Sequence, residues 1–126
     1  MTLSERLYSI MSSNAALSAA CSNRIYPNEI PQGVSSYPLI VYRLVTSTPT
    51  NDNDGTSAFD YYNVDIWSYG TTKLQAEQLA EKVRTAVDGY ATSPVAWTWY
   101  WNADDDYLES IQKYVIRQEY RISLNR

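Results

Sequence analysis

Four groups of side chains are of types and spacings that could do chemistry. Asn51, Asp52, Asn53 and Asp54 precede Gly55, as in the opening of a calcium loop. An EF-hand loop with glycine at position 6 needs a carboxylate at position 1 and a bidentate Glu at position 12. Thr50 and Tyr61 occupy those positions, so both ligands fail and a solvated polar turn remains. Asp104, Asp105 and Asp106 offer three carboxylates, but successive side chains on an extended chain alternate in direction and seldom meet at one ion. That run reads as an acidic hairpin turn. Trp97, Trp99 and Trp101 fall on one strand face, an arrangement that can stack bases. No basic residue lies between Val95 and Lys113, so core packing or subunit contact is the better reading. Arg117, Glu119 and Arg121 make an outward row of alternating charge. Such a row is either a solvated sheet face or, at a subunit boundary, a means of setting register.

Nothing in the chain looks able to activate a nucleophile. There is no histidine, the commonest general base and metal ligand. The single cysteine, Cys21, cannot form an intramolecular disulfide or a cysteine-based zinc site, and among alanines it reads as a small buried filler. No GxSxG, GxGxxG or phosphate-binding glycine loop is present. An enzyme is therefore not expected, and neither is a cofactor. Ten basic against 14 acidic side chains give a net charge of −4, the wrong balance for gripping a nucleic-acid backbone. No apolar run is long enough to span a membrane, and residues 1–10 lack the pattern of a signal peptide. Twelve Tyr and four Trp against one Phe favour half-buried surfaces of the kind found between subunits.

The elements that must position these groups are legible from periodicity. At 126 residues the chain suits one domain, residues 1–126. Leu3, Leu7, Ile10, Leu17 and Cys21 share a helical face behind a Thr2-x-x-Glu5 capping box, with a break at Ser12, Ser13 and Asn14. Residues 23–38, with three prolines and Gly33, read as an irregular connector. Residues 39–46 form a first strand, apolar on both faces. Residues 47–57 are a long polar loop. Residues 58–69 form a second strand, ended by Gly70. Thr72 and Gln75 cap a helix with a stripe of Ala76, Leu79, Ala80, Val83 and Val87. Lys73 and Glu77 pair on its wet side, and Gly89 stops it. Residues 95–102 form a third strand, with Val95 on the tryptophan face. After the acidic turn, residues 107–111 make a short strand or arm. Residues 114–124 form the last strand, with Tyr114, Ile116, Tyr120, Ile122 and Leu124 inward and Val115, Arg117, Glu119, Arg121 and Ser123 outward. A bulge or kink is expected near Gln112 and Lys113. The expected fold is α+β, a mostly antiparallel four-stranded sheet with helices on one face, in the order α-β-β-α-β-β.

A succession of motifs then resembles a known family. Arg24-Ile25-Tyr26-Pro27, Pro31-Gln32-Gly33 and Tyr37-Pro38-Leu39-Ile40-Val41-Tyr42 are followed by Val64-Asp65-Ile66-Trp67-Ser68 and the helix from Gln75 to Arg84. In that order they resemble the tail completion proteins of tailed phages, also described as tail terminators or tail-to-head joining proteins. The resemblance implies a virion structural subunit, assembled in the host cytoplasm. It implies a homo-oligomer, typically a hexameric ring, at the head-proximal end of the tail. Its partners would be the tail tube protein and a head-completion or neck protein. DNA would pass through the lumen in transit, without sequence-specific binding, and no membrane would be involved. Asn51, Asp52, Asn53, Asp54, Trp97, Trp99, Trp101, Arg117, Glu119 and Arg121 are the candidate subunit or partner contacts. The alternative is a monomeric cytosolic binding module that uses the aromatic strand face.

Overall fold

The computed structural model describes residues 3–52, 55–91 and 95–125. Helices α1 (Leu3–Ser12) and α2 (Ala15–Cys21) come first, then strands β1 (Ile25–Pro27), β2 (Leu39–Asp52) and β3 (Gly55–Gly70). Helix α3 (Lys73–Val87) separates these from β4 (Val95–Leu108) and β5 (Lys113–Asn125). The strands make one mixed sheet in the order β1-β2-β3-β5-β4. Only β1 and β2 run parallel; the other neighbours are antiparallel.

All three helices lie on one face. Their apolar side chains meet Ile40, Tyr42, Val64, Ile66, Tyr120 and Ile122 in a single core. Helix α3 buries Ala76, Leu79, Ala80, Val83 and Val87, the stripe expected from its period. Thr72 caps it by accepting from Gln75 N at 3.1 Å, and Gln75 Oε1 accepts from Thr71 N at 2.7 Å. Asn14 caps α2 through Leu17 N. Leu7, Leu17 and Cys21 are buried as anticipated, together with Met11. Burial pushes the Cys21 thiol up, as befits an unreactive filler. Across the layers, Gln118 donates to Ala80 O at 3.1 Å and accepts from the buried Tyr120 hydroxyl at 3.1 Å. These bonds satisfy groups that would otherwise be costly to bury.

Four expectations need correction. The sheet has five strands, because Ile25 to Pro27 pairs with Ile40 to Tyr42. Three residues beside prolines are too short a run for periodicity to reveal. The polar segment after residue 46 is strand, with pairing that continues to Asp52↔Gly55. Thr46, Thr48, Thr50 and Thr56 are β-branched and suit extended chain despite their polarity. The acidic run is also strand: Asp104, Asp105 and Asp106 lie opposite Arg117, Ile116 and Val115. The reversal falls at residues 109–112 instead, where Gln112 has φ +53°. Finally, β2 is covered on both faces only near its start. Leu39 and Val41 are buried, whereas Leu44 and Val45 are exposed.

Strand β3 passes directly into α3 through Gly70. A Cβ added there would stand 2.6 Å from Ala76 N, in backbone that cannot move without shifting the helix. Gly70→Ala is therefore expected to lower the unfolding free energy by about 2 kcal/mol, as overpacking does. Urea denaturation followed by tryptophan fluorescence measures this; an unchanged midpoint would count against the close approach.

Candidate subunit and partner interface

The face of the sheet opposite the helices carries most of the candidate residues. It is organised around two arginines of β5. Arg117 reaches Asp65 at 3.4 Å on β3, Glu119 at 2.7 Å on its own strand, and Asp104 on β4. The partners are 52 and 13 residues away in sequence for Asp65 and Asp104, so the register of β3-β5-β4 assembles the group. Asp65 is almost fully buried. Burial raises its carboxyl pKa above the usual range; Arg117 opposes that shift and Glu119 adds to it. The bond to Asp104 leads the causes that raise the Arg117 pKa.

Arg121 forms the second centre. Its Nε donates to Asn63 Oδ1 at 3.2 Å. Its guanidinium lies 5.5 Å from the Trp99 ring and 5.7 Å from the Trp101 ring. Trp97 meets Trp99 edge-on at 5.9 Å. Cation–π contacts of this kind hold both partners in place. Farther along, Arg43 lies over Trp67 at 5.4 Å, and Tyr37 meets Tyr69 at 6.5 Å.

The tryptophans are not core residues. Trp97, Trp99 and Trp101 are 56%, 40% and 57% exposed. Strict alternation would put Val95 beside them, yet Val95 is buried in the helix-facing core. The β4–β5 register shifts between Val95 and Trp97, and again between Tyr100 and Asn102. Each shift turns the following side chains over, as a bulge does. The second leaves Trp101 on the same side as Trp99, where both reach Arg121. Val115, expected outward with Arg117, does lie on this face but is buried beside Tyr69.

The geometry thus gathers Trp97, Trp99, Trp101, Arg117, Glu119 and Arg121, with Asp65 and Asn63, which sequence reasoning did not single out, and Asp104, which it read as part of an acidic turn. Asn51 and Asp52 lie far off at the end of β2, and Asn53 and Asp54 fall outside the described residues. Among the described residues, no cluster of His, Cys, Asp and Glu could hold a metal ion. No helix of the described residues is long and apolar enough to cross a membrane. The arrangement is a surface whose charged groups are tied to one another across three strands and whose aromatic rings are presented outward.

Against known families, residues 5–124 match the model of the tail completion protein gp17. Among solved structures, a chain from the virion of a native gene transfer agent particle is similar. The TM-score is 0.73 at 17% identity, over 95% of this chain and 92% of that one. No curated protein matches the sequence.

The Arg117 group makes a pH-dependent prediction. A carboxyl whose pKa is raised by folding holds more protons folded than unfolded, so its contribution to stability falls as pH rises through that window. Asp65→Asn should therefore leave stability at pH 7 within about 1 kcal/mol of the parent or raise it. Arg117→Met leaves Asp65, Asp104 and Glu119 without their shared cation and should cost about 3 kcal/mol at pH 7. Part of that loss should be recovered at lower pH, as the buried Asp65 carboxyl, its pKa already raised by burial, takes up a proton. Denaturation midpoints at pH 7 and at lower pH test both signs.

Proposed function

The chain belongs to the tail completion protein gp17 family, and on that premise we propose that it forms a ring capping the head-proximal end of a phage tail. It is a structural component of the virion, not an enzyme. In the proposed role it ends the tail tube and joins it to the capsid neck, with DNA passing through the lumen. A hexamer is the assembly this reading expects. The match over residues 5–124 carries the proposal.

The physical features support it in three ways. Exposed aromatic side chains in a continuous group, rimmed by polar residues, mark surfaces that meet other proteins. Trp97, Trp99 and Trp101 form such a group on the face that the helices leave uncovered. We assign this face to contact with another virion subunit. The cross-strand contacts of Arg117, Glu119 and Arg121 hold its side chains in place, so that little side-chain freedom is left to lose on docking. Asn51 and Asp52, at the end of β2 away from its pairing with β1, suit contact with the tube or the neck. A net charge of −4 gives DNA little to adhere to in transit.

Light scattering and negative-stain microscopy of the purified chain test the ring directly. A closed ring is expected; a strict monomer at concentrations like those within a particle overturns the reading. The tryptophan face has its own test. Trp97→Ala with Trp101→Ala should change the unfolding free energy by less than about 1 kcal/mol, since both side chains are exposed. The same variant should fail to cap polymerised tail tube protein, which a sedimentation assay with tubes detects.

A further inference from the structure

Two stretches of strand have no strand neighbour on one side among the described residues, and they lie on opposite edges of the sheet. On β4, Gly89 N donates to Thr98 O at 2.9 Å and Asp88 Oδ1 accepts from Tyr100 N at 2.9 Å. The chain that follows α3 thus caps the first half of that edge. Thr98 and Tyr100 point their backbone groups outward. The bulge inserts one residue, so beyond it the outward groups belong to Ala103, Asp105 and Tyr107. On β2, β1 covers only Ile40 to Tyr42, extended by Asn28 N donating to Tyr42 O at 2.8 Å. From residue 44 onward that edge is open. Four of the exposed large apolar side chains sit on or beside these stretches: Leu44, Val45, Trp101 and Tyr107.

We propose that the two open edges pair with each other between neighbouring copies, residues 103–107 of one against residues 44–48 of the next. This rests on the ring reading above and specifies how the ring closes.

Direction, charge and level all favour this occupant. Strand β4 runs opposite to β2 within the sheet, so a second copy in the same orientation presents β2 to β4 as an antiparallel partner. Asp104 is paired with Arg117 and Asp105 with Lys73 at 3.4 Å, but pairing of β4 with another β4 would still crowd three carboxylates of each copy along one seam, and facing like charges are destabilising. Residues 44–51 carry no charge, and Arg43 stands at their base. The β2 register shifts between Leu44 and Thr46, so the outward backbone groups are those of Leu44 and then Ser47, and Pro49, which lacks an N–H, limits the pairable stretch to residues 44–48. The register sets the level. Asp105 aligns with Ile116, Ser68 and then Ile40, where β1 already occupies the β2 edge. The next copy must therefore sit lower by roughly six residues, about 20 Å, against about 19 Å across four strands. That is an inclination near 45°, about what closed sheets adopt. Joining two different edges is a head-to-tail contact, the kind that closes into rings.

Disulfide trapping tests this in the assembled full chain. Leu44→Cys is combined in turn with Ala103→Cys, Asp105→Cys and Tyr107→Cys, and the assembly is oxidised and run without reductant. Native Cys21 is fully buried and does not compete. At least one double variant, Leu44→Cys with Tyr107→Cys first, should give a series of covalent oligomers up to the whole ring. The single variants should stay monomeric. A covalent dimer from Tyr107→Cys alone shows β4 meeting β4 and overturns the proposal. Rings that form yet trap in no combination overturn the edge contact and leave the ring reading standing. A chain that never assembles overturns both. Asp105→Pro removes one outward N–H without touching the β5 ladder. It should fold normally but need at least a tenfold higher concentration to assemble; assembly like that of the parent chain also counts against the edge contact.

Discussion

The close approach of α3 to the end of β3 governs much of this molecule. Gly70 lets the helix start immediately where the strand ends, with Ala76 N against its Cα. Strand β3 is also the central strand, paired with β2 on one side and β5 on the other. The angle at which α3 leaves β3 therefore sets where the helix lies on the sheet. It also sets where Asp88 and Gly89 emerge to cap the first half of β4. One glycine thus links the core, the packing of the layers and the accessible part of an edge.

Putting every helix on one side leaves the opposite face to satisfy itself. The chain does so with cross-strand groups instead of a second layer. Arg117 gathers three carboxylates from three strands, and Arg121 is held by two tryptophans and Asn63. Such a face is expensive in one respect: Asp65 is buried enough that its charged form is disfavoured even beside Arg117. A monomer needing only stability would gain as much from apolar residues there. What the polar arrangement adds is a fixed geometry for the tryptophans, which matters if the face must fit another subunit.

The sequence was most legible where one face is buried. The α3 stripe, the α2 cap and the alternation of β3 and β5 follow from packing against a single core, so periodicity reports them. Legibility failed for three physical reasons. Strand β1 is too short to show a period. The bulge of β4 between Val95 and Trp97 reverses its phase, so Val95 and the tryptophans look equivalent in sequence but face opposite ways. Residues 47–52 and 102–108 lack the apolar alternation that marks a strand, and their polarity resembles that of loops. The Arg117 group was half visible: the row on β5 could be read, but Asp65 and Asp104 join it only through the sheet register.

The failures and the function fall in the same places. A subunit that acts by fitting others keeps its chemistry out of any pocket and spreads it along edges and faces. Those surfaces cannot follow the monomer's hydrophobic pattern, because in the monomer they face water. Acidic residues on the open half of β4 illustrate the balance. They discourage indiscriminate pairing of a bare edge, the hazard every exposed strand carries, and they do so most strongly against another copy of the same edge. An uncharged strand with a basic residue at its base meets no such barrier. Read this way, Asp104, Asp105 and Asp106 are neither a metal site nor a turn. In the edge contact proposed above they would select which edge is admitted, since a head-to-tail choice of edge is what distinguishes a closing ring from an aggregate.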